Sequence, residues 1–256
     1  MIDMHSHILF GVDDGARTIH ESLELIKDEI KKGVNRIILT PHFKKRSNES
    51  SMDVVLNNFI FLKRAVYVEQ LNVELFLGNE VYLDANYYKT IWNESFNSLA
   101  GSIYVLIEFD PAALPEYIPD ICYEIKLKGY SPVIAHVERY ESFYNNRQLL
   151  FDTLNEGAHL QINASSILNK ENKESFKFVH YLLKNQLVSF VASDAHNLNL
   201  RYSRMDEAYT VVKKLYGHSY AEKIFNLNQY NIIMNKYFDS PKMNNISKGY
   251  LSKLFK

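Results

Sequence analysis

His5 and His7, one residue apart at the end of a short apolar stretch, can direct two imidazoles at a single metal ion. The pair alone is a weak signal, since His-x-His arises often by chance. It gains weight because residues of the same kind recur at the same kind of place. His42, Glu80, Glu108, His136, Asp194 and His196 each stand at or just beyond the C-terminal end of an apolar run. Asp13 and Asp14 lie in the loop after His7, between Gly11 and Gly15. A lone buried histidine is commonly a hydrogen-bonded core residue, and His20, His159, His180 and His218, in helical stretches or at a strand start, fit that background. A carboxylate closing an apolar strand, as Glu108 does, resists that explanation. Burying it unpaired costs several kcal/mol, so it needs a cation.

The set comprises five histidines and four carboxylates, counting one of Asp13 and Asp14. One divalent ion would leave such a site anionic and overcrowded. Three would leave it at +2, a surplus that suits a bridging hydroxide and a phosphate dianion. Imidazole and carboxylate donors without thiolate favour manganese, iron or zinc over magnesium and calcium. Arg139, three residues after His136, and Arg201, five after His196, add guanidinium forks that match phosphate oxygens. Lys44-Lys45-Arg46, after His42, reads equally as an attractor of acidic substrates or as ordinary solvated loop charge. A cysteine-based phosphatase is excluded. It needs Cys-x5-Arg, and the residue six after Cys122, the only cysteine, is Lys128.

Such residues need elements to position them. Seven short apolar runs, at residues 2–4, 36–40, 73–77, 104–108, 132–136, 159–162 and 188–192, lack clean alternation and suit strands covered on both faces. Most are separated by helical spacing: Ile19, Leu23, Ile26 and Ile30 before Gly33; Leu56, Phe59, Ile60, Leu62 and Val66; Ile118, Ile121, Ile125 and Leu127 before Gly129. Leu149, Leu150 and Leu154, then Phe176, Val179, Leu182 and Leu183, continue the alternation. The expectation is an α/β fold of parallel strands with right-handed crossovers, closed or nearly closed into a barrel of seven units. Catalytic groups in such barrels come from the C-terminal strand ends, where these candidates sit. Only the sixth strand ends without a ligand type, at Asn163. Residues 81–102 form a longer insertion between two strands.

The chain has 256 residues, 46% of them hydrophobic, a net charge of -1 and a pI near 6.8, so no basic field argues for nucleic acid. A single cysteine rules out an internal disulfide and fits a reducing, cytoplasmic setting. The N-terminus lacks the pattern of a signal peptide, and no apolar run nears the ~20 residues of a membrane span, so direct membrane insertion is not expected. Residues 1–240 read as one catalytic barrel domain and 241–256 as a loosely ordered basic C-terminal tail.

HSHILFGVDDGA, TPHF, GNEVY, LIEF, PVIAHVERY and SDAHNL, in this order, resemble the PHP (polymerase and histidinol phosphatase) superfamily. The likeness is greatest to its bacterial protein-tyrosine-phosphatase branch, linked to capsule and exopolysaccharide synthesis, and covers nearly the whole chain. It implies a distorted (β/α)7 barrel with three divalent ions at the C-terminal face, manganese preferred and iron or zinc as alternatives. Matched by motif, one ion is held by His5, His7, Glu80 and Asp194. A second is held by one of Asp13 and Asp14 with His42 and His196, and a third by Glu80, Glu108 and His136. Arg139 and Arg201 match positions that hold substrate phosphate, so Arg139, Arg201, Glu80 and Glu108 form the implied catalytic group. The implied reaction is hydrolysis of phosphotyrosine on the tail of a membrane-associated bacterial tyrosine kinase. Other readings of the same scaffold are a small-molecule phosphatase of the histidinol-phosphate type, a nuclease, and a non-catalytic partner that restrains the kinase. Near-neutral charge counts against the nuclease, and the full donor set against the non-catalytic partner.

Overall fold

The computed structural model describes residues 1–43, 50–84, 90–92, 95–112 and 116–242. The Lys44-Lys45-Arg46 run, residues 243–256 of the tail and parts of the 81–102 insertion lie outside them. Nine strands follow one another: β1 (Ile2–Ser6), β2 (Arg36–Leu39), β3 (His42–Phe43), β4 (Glu74–Leu77), β5 (Glu80–Tyr82), β6 (Tyr104–Glu108), β7 (Ser131–Ile134), β8 (His159–Asn163) and β9 (Phe190–Ala192). All pair in parallel, in the orders β1-β2-β4 and β3-β5-β6-β7-β8-β9.

These nine strands are seven staves. β2 and β3 are one run broken at Thr40-Pro41, where proline has no N–H to give the ladder. β4 and β5 are one run broken at Gly78-Asn79, where a Cβ on Gly78 would lie 3.0 Å from the Leu99 side chain. The last stave meets the first: the Asp194 N–H donates to His5 O and the His7 N–H to Ala195 O, both at 2.9 Å. The parallel sheet thus curls round as the seven apolar runs imply, giving a distorted barrel.

Helices cover its outside: α1 (Ile19–Lys31), α2 (Met52–Val68), α3 (Ile118–Leu127), α4 (Arg147–Asn155), α5 (Lys173–Lys184) and α6 (Met205–Tyr216). Thr18 caps α1 by accepting from the Glu21 N–H, and Asn172 caps α5 by accepting from the Ser175 N–H. On α2 the buried stripe is Val55, Leu62 and Val66, while Leu56 and Ile60 face solvent. No helix among the described residues is long and apolar enough to cross a membrane.

Two apolar layers follow from the two faces of the staves. One fills the space between sheet and helices. The other plugs the barrel: Met4, Ile38, Tyr104, Leu106, Val133, Ala135, Phe190 and Ala192 with Leu99 and Ile232. Side chains alternate along a strand with a period of two, so the plug sets which later residues point to the centre. Ile38 leads to His42, Leu106 to Glu108 and Ala192 to Asp194 at even spacing. β1 breaks this rhythm. Its register slips between Asp3 and Ser6, so that Met4 joins the plug while His5 and His7 also face the centre. The plug is therefore the floor of the site. Replacing Leu106 by Ala should remove about 2–5 kcal/mol of stability, the range for a truncated core leucine. Denaturant unfolding will show it, and a loss below about 1 kcal/mol would mean that the floor collapses onto the cavity.

Candidate metal centre

At the C-terminal rim the candidate side chains converge. Glu80, 1% exposed, opens β5 and lies within reach of four imidazoles. Its Oε1 is 2.8 Å from His136 Nε2 and 3.4 Å from His5 Nε2, and its Oε2 is 2.9 Å from His42 Nδ1 and 3.2 Å from His7 Nε2. Glu108, at the end of β6, lies 3.5 Å from His136 Nε2 and 3.8 Å from His42 Nδ1. Asp194 Oδ1 is 3.6 Å from His5 Nε2 and 3.5 Å from His7 Nε2. His136 and Asp194 both take positive φ, at 31° and 53°, a region costly for side-chain-bearing residues and commonly found at functional sites. In His136 that twist turns the ring inward after Ala135 has already joined the plug.

The structure separates the two loop aspartates. Asp13 Oδ2 accepts from His7 Nδ1 at 2.7 Å and from the His42 N–H at 3.1 Å, while its Oδ1 accepts from the Gly15 N–H at 3.0 Å. Its oxygens are engaged in holding His7 and folding the loop. Asp14 instead points its Oδ1 at His42 Nε2 (3.4 Å) and His196 Nε2 (3.5 Å). Gly15 allows the tight turn that separates them, since a Cβ there would sit 1.9 Å from His7 O.

Hydrogen bonds also fix how the rings present themselves. His7 gives its Nδ1 proton to Asp13, and His196 gives its own to the Asp194 carbonyl at 2.9 Å. A carbonyl can only accept, so His196 Nε2 carries the lone pair; it is buried without a hydrogen-bond partner among the described residues. The Nε2 atoms of His5 and His7 stand 3.3 Å apart. Donors bound to one ion at about 2.1 Å stand about 3.0–3.4 Å apart in octahedral or tetrahedral geometry. The measured spacings fit that chemistry. Three groups have donor atoms within 4.8 Å of one another: His5, His7 and Glu80; His42, Glu80 and Glu108; and His7, Asp14, His42 and His196. They overlap the three sets implied by motif, with His7 placed between the first and second.

The electrostatics are those of buried carboxylates interleaved with imidazoles. Burial pushes His196 down to about 4 and, with Arg139 close by, His136 down to about 3, so both are neutral donors. Burial works against the charge on His5 too, but Glu80 and Asp194 outweigh it and raise the ring to about 9. Burial opposes ionisation of Glu80 as well, yet His5 and His42 hold its carboxyl well below the usual range.

Arg139 and Arg201 stand on the rim. Arg139 Nη2 is 2.5 Å from Asp194 Oδ2, and Arg201 Nη2 is 3.1 Å from both Asp194 oxygens. The centre opens on two grooves that meet at Leu200. One, about 500 Å³, is lined by Arg139, Asp194, Arg201 and Arg204; the other, about 590 Å³, by Asp14, Arg17, His20 and His196. All the candidate residues are thus brought together, with Asp13 one step behind the others. The residue overlooked from sequence is Gln161, whose signal was available: a glutamine inside a wholly buried strand.

A parallel α/β barrel with His, Asp and Glu clustered at its C-terminal rim defines a metal-dependent hydrolase. The family model for capsular polysaccharide synthesis, CpsB/CapC, matches residues 1–234, and the chain belongs to that family. It is 34% identical over 242 residues to the tyrosine-protein phosphatase CpsB of Streptococcus agalactiae serotype III (strain NEM316), covering 93% of this chain and 100% of the relative. It is 33% identical over 217 residues to the tyrosine-protein phosphatase YwqE of Bacillus subtilis (strain 168), covering 85% of each. Among solved structures, one described with YwqE and CpsB of Streptococcus pneumoniae as "unique metal-dependent tyrosine phosphatases" superposes with a TM-score of 0.87 at 31% identity, over 94% of this chain and 98% of the other. A histidinol phosphate phosphatase from Lactococcus lactis shares the fold at 15% identity, with a TM-score of 0.53, over 88% of this chain and 94% of that one.

Because the cluster holds a proton on His5 up to about pH 9, a cation must displace it at lower pH. The affinity of the metal-free protein for Mn2+ should therefore rise from pH 6 towards pH 9, with protons released on binding. Titration calorimetry in buffers of different ionisation enthalpy will measure the release. A pH-independent affinity would mean that His5 is not displaced.

Proposed function

We propose that this chain is a metal-dependent protein-tyrosine phosphatase, hydrolysing phosphotyrosine on a bacterial tyrosine kinase that regulates capsular or extracellular polysaccharide synthesis. The observation that carries the reading is one buried carboxylate, Glu80, among four imidazoles, with two guanidiniums beside it on an open rim. In this reading His5, His7, Glu80 and Asp194 hold one ion, Asp14, His42 and His196 a second, and Glu80, Glu108 and His136 a third. Manganese suits nitrogen and oxygen donors without thiolate, with iron or zinc as alternatives. Divalent ions there supply Lewis-acid stabilisation of phosphoryl oxygens and make water acidic enough to attack phosphorus at neutral pH.

The protein's own part is positioning. Glu80 and Glu108 keep the donors and their charge in place. Arg139 and Arg201 present N–H groups to the phosphoryl oxygens and oppose the charge spread over them in the transition state. Tyrosinate leaves with a conjugate-acid pKa of about 10, so strong proton donation is not required. Cys122 has no part: it is buried in α3, where burial pushes its thiol well up. The two grooves lie open on either side of Leu200, itself 90% exposed, which suits a peptide lying across the centre better than an enclosed small molecule.

A tyrosine-phosphorylated peptide should be turned over well above histidinol phosphate or single-stranded DNA, and EDTA should abolish the activity. Preference for histidinol phosphate would reassign the substrate while leaving the metal chemistry intact. Elemental analysis after reconstitution should approach three divalent ions per chain, one for each donor group. A fully active protein with one ion would overturn the trinuclear reading.

Arg139→Ala or Arg201→Ala should leave metal content unchanged and cut kcat/KM by roughly ten- to a thousandfold, with Lys restoring only part because it lacks the fork. Normal kinetics in either variant would remove that residue from the phosphate clamp.

A further inference from the structure

β8 is the one stave that brings no candidate metal donor, yet all five of its residues are buried. Two polar side chains face the centre from it, Gln161 and Asn163, and neither has been given a task so far. Gln161 Oε1 is 2.8 Å from the His136 backbone N and 3.0 Å from His5 Nδ1. Its Nε2 is 2.9 Å from Asn163 Oδ1, and Asn163 Nδ2 is 2.9 Å from Asp194 Oδ2. The Asn163 backbone N–H donates to buried Glu138 Oε1 at 3.0 Å, next to Arg139 in the chain.

The direction of this chain of bonds follows from its first link. A backbone N–H can only donate, so the amide atom facing His136 N must be the Gln161 oxygen. That oxygen then accepts from His5, which must carry a proton on Nδ1, so that Nε2 is the atom that presents a lone pair to the centre once the ring is neutral. The Gln161 nitrogen must donate to the Asn163 oxygen. The Asn163 nitrogen is left to donate to Asp194, whose carboxylate can only accept. One buried amide thus sets the tautomer of His5, the backbone at His136 and, through Asn163, the orientation of Asp194. These belong to three separate staves.

We propose that Gln161, acting with Asn163, is the positioning residue of the metal centre: it holds His5, His136 and Asp194 in the geometry that receives the ion. The proposal rests on the metal-site reading above. Neighbours that orient metal ligands commonly affect metal affinity by roughly 10–100-fold when removed.

The test uses the full chain, stripped of metal, with Mn2+ as probe. Binding is read from the free-ion signal in electron paramagnetic resonance, independently of activity. Gln161→Met keeps the volume and removes both polar atoms. It leaves the His136 N–H and His5 Nδ1 unpaired, so the metal-free protein should melt lower yet stay folded, bind Mn2+ roughly 10–100-fold more weakly, and lose kcat at limiting Mn2+ in a way that excess Mn2+ restores. A purely structural role would not give that rescue. Asn163→Ala removes the bond to Asp194 Oδ2 and should weaken Mn2+ binding, though less than Gln161→Met does. If Gln161→Met does not fold, Asn163→Ala decides: native Mn2+ affinity in that variant overturns the proposal. Native Mn2+ affinity in a folded Gln161→Met protein also overturns it, and leaves the proposed function standing. A native protein that binds no Mn2+ removes both.

Discussion

A carboxylate that is 1% exposed, with imidazoles on three staves pointing at it, sets the terms for the rest of the barrel. Glu80 cannot be left unpaired at that depth. A proton on His5 can bridge its Nε2 to His7 Nε2 at 3.3 Å, but the His196 Nε2 lone pair faces the Asp14 carboxylate at 3.5 Å, two acceptors set against each other. A multivalent cation answers both the carboxylate and the lone pairs. The barrel holds the groups together and largely out of water. Its floor is an apolar plug, and its closure runs through the backbone of His5, Asp194 and Ala195, so that the last stave is tied to the first within the site itself. Fold and centre are therefore interdependent: the ligands stand where the staves must meet.

Much of this was legible in the sequence because two periodicities carry it. Apolar runs separated by helical stripes foretell parallel staves, and the period of two along each strand projects His42, Glu108 and Asp194 above Ile38, Leu106 and Ala192. Where the period fails, the cause is local backbone geometry that composition does not encode. The slip in β1 turns both Met4 and His5 inward. His136 reaches the centre because its own φ is positive, an arrangement that spacing would assign to its neighbour Ala135. The second and third staves run on past Pro41 and Gly78 into β3 and β5, beyond residues 40 and 77 where the apolar runs end.

Asp13 and Asp14 show the other limit. Adjacent residues of identical type differ only in which way the loop turns, and that is decided by Gly15 packing against the His7 carbonyl. Asp13 accepts three N–H groups and Asp14 looks into the centre. Gln161 was overlooked, and Asn163 was seen only as a strand end without a ligand, for a related reason. A sequence reading that searches strand ends for ligand types passes over an amide, although a glutamine buried in a strand must find hydrogen-bond partners and so marks a network.

Asp194 joins the two halves of the chemistry. Its Oδ1 faces His5 and His7, while Arg139, Arg201 and Asn163 converge on its Oδ2. In the proposed reading, a phosphate dianion that draws the two guanidiniums to itself would leave more of the Asp194 charge for a cation, and a cation on Asp194 would leave the guanidiniums freer to meet phosphate. The two events support one another through a single carboxylate, and by linkage the support is equal in both directions. Asn163 Nδ2 holds the same Oδ2 at 2.9 Å, a contact that neither partner needs to break. The amide pair on β8, which offers no ligand of its own, thus meets Asp194 where the proposed metal and phosphate sites adjoin.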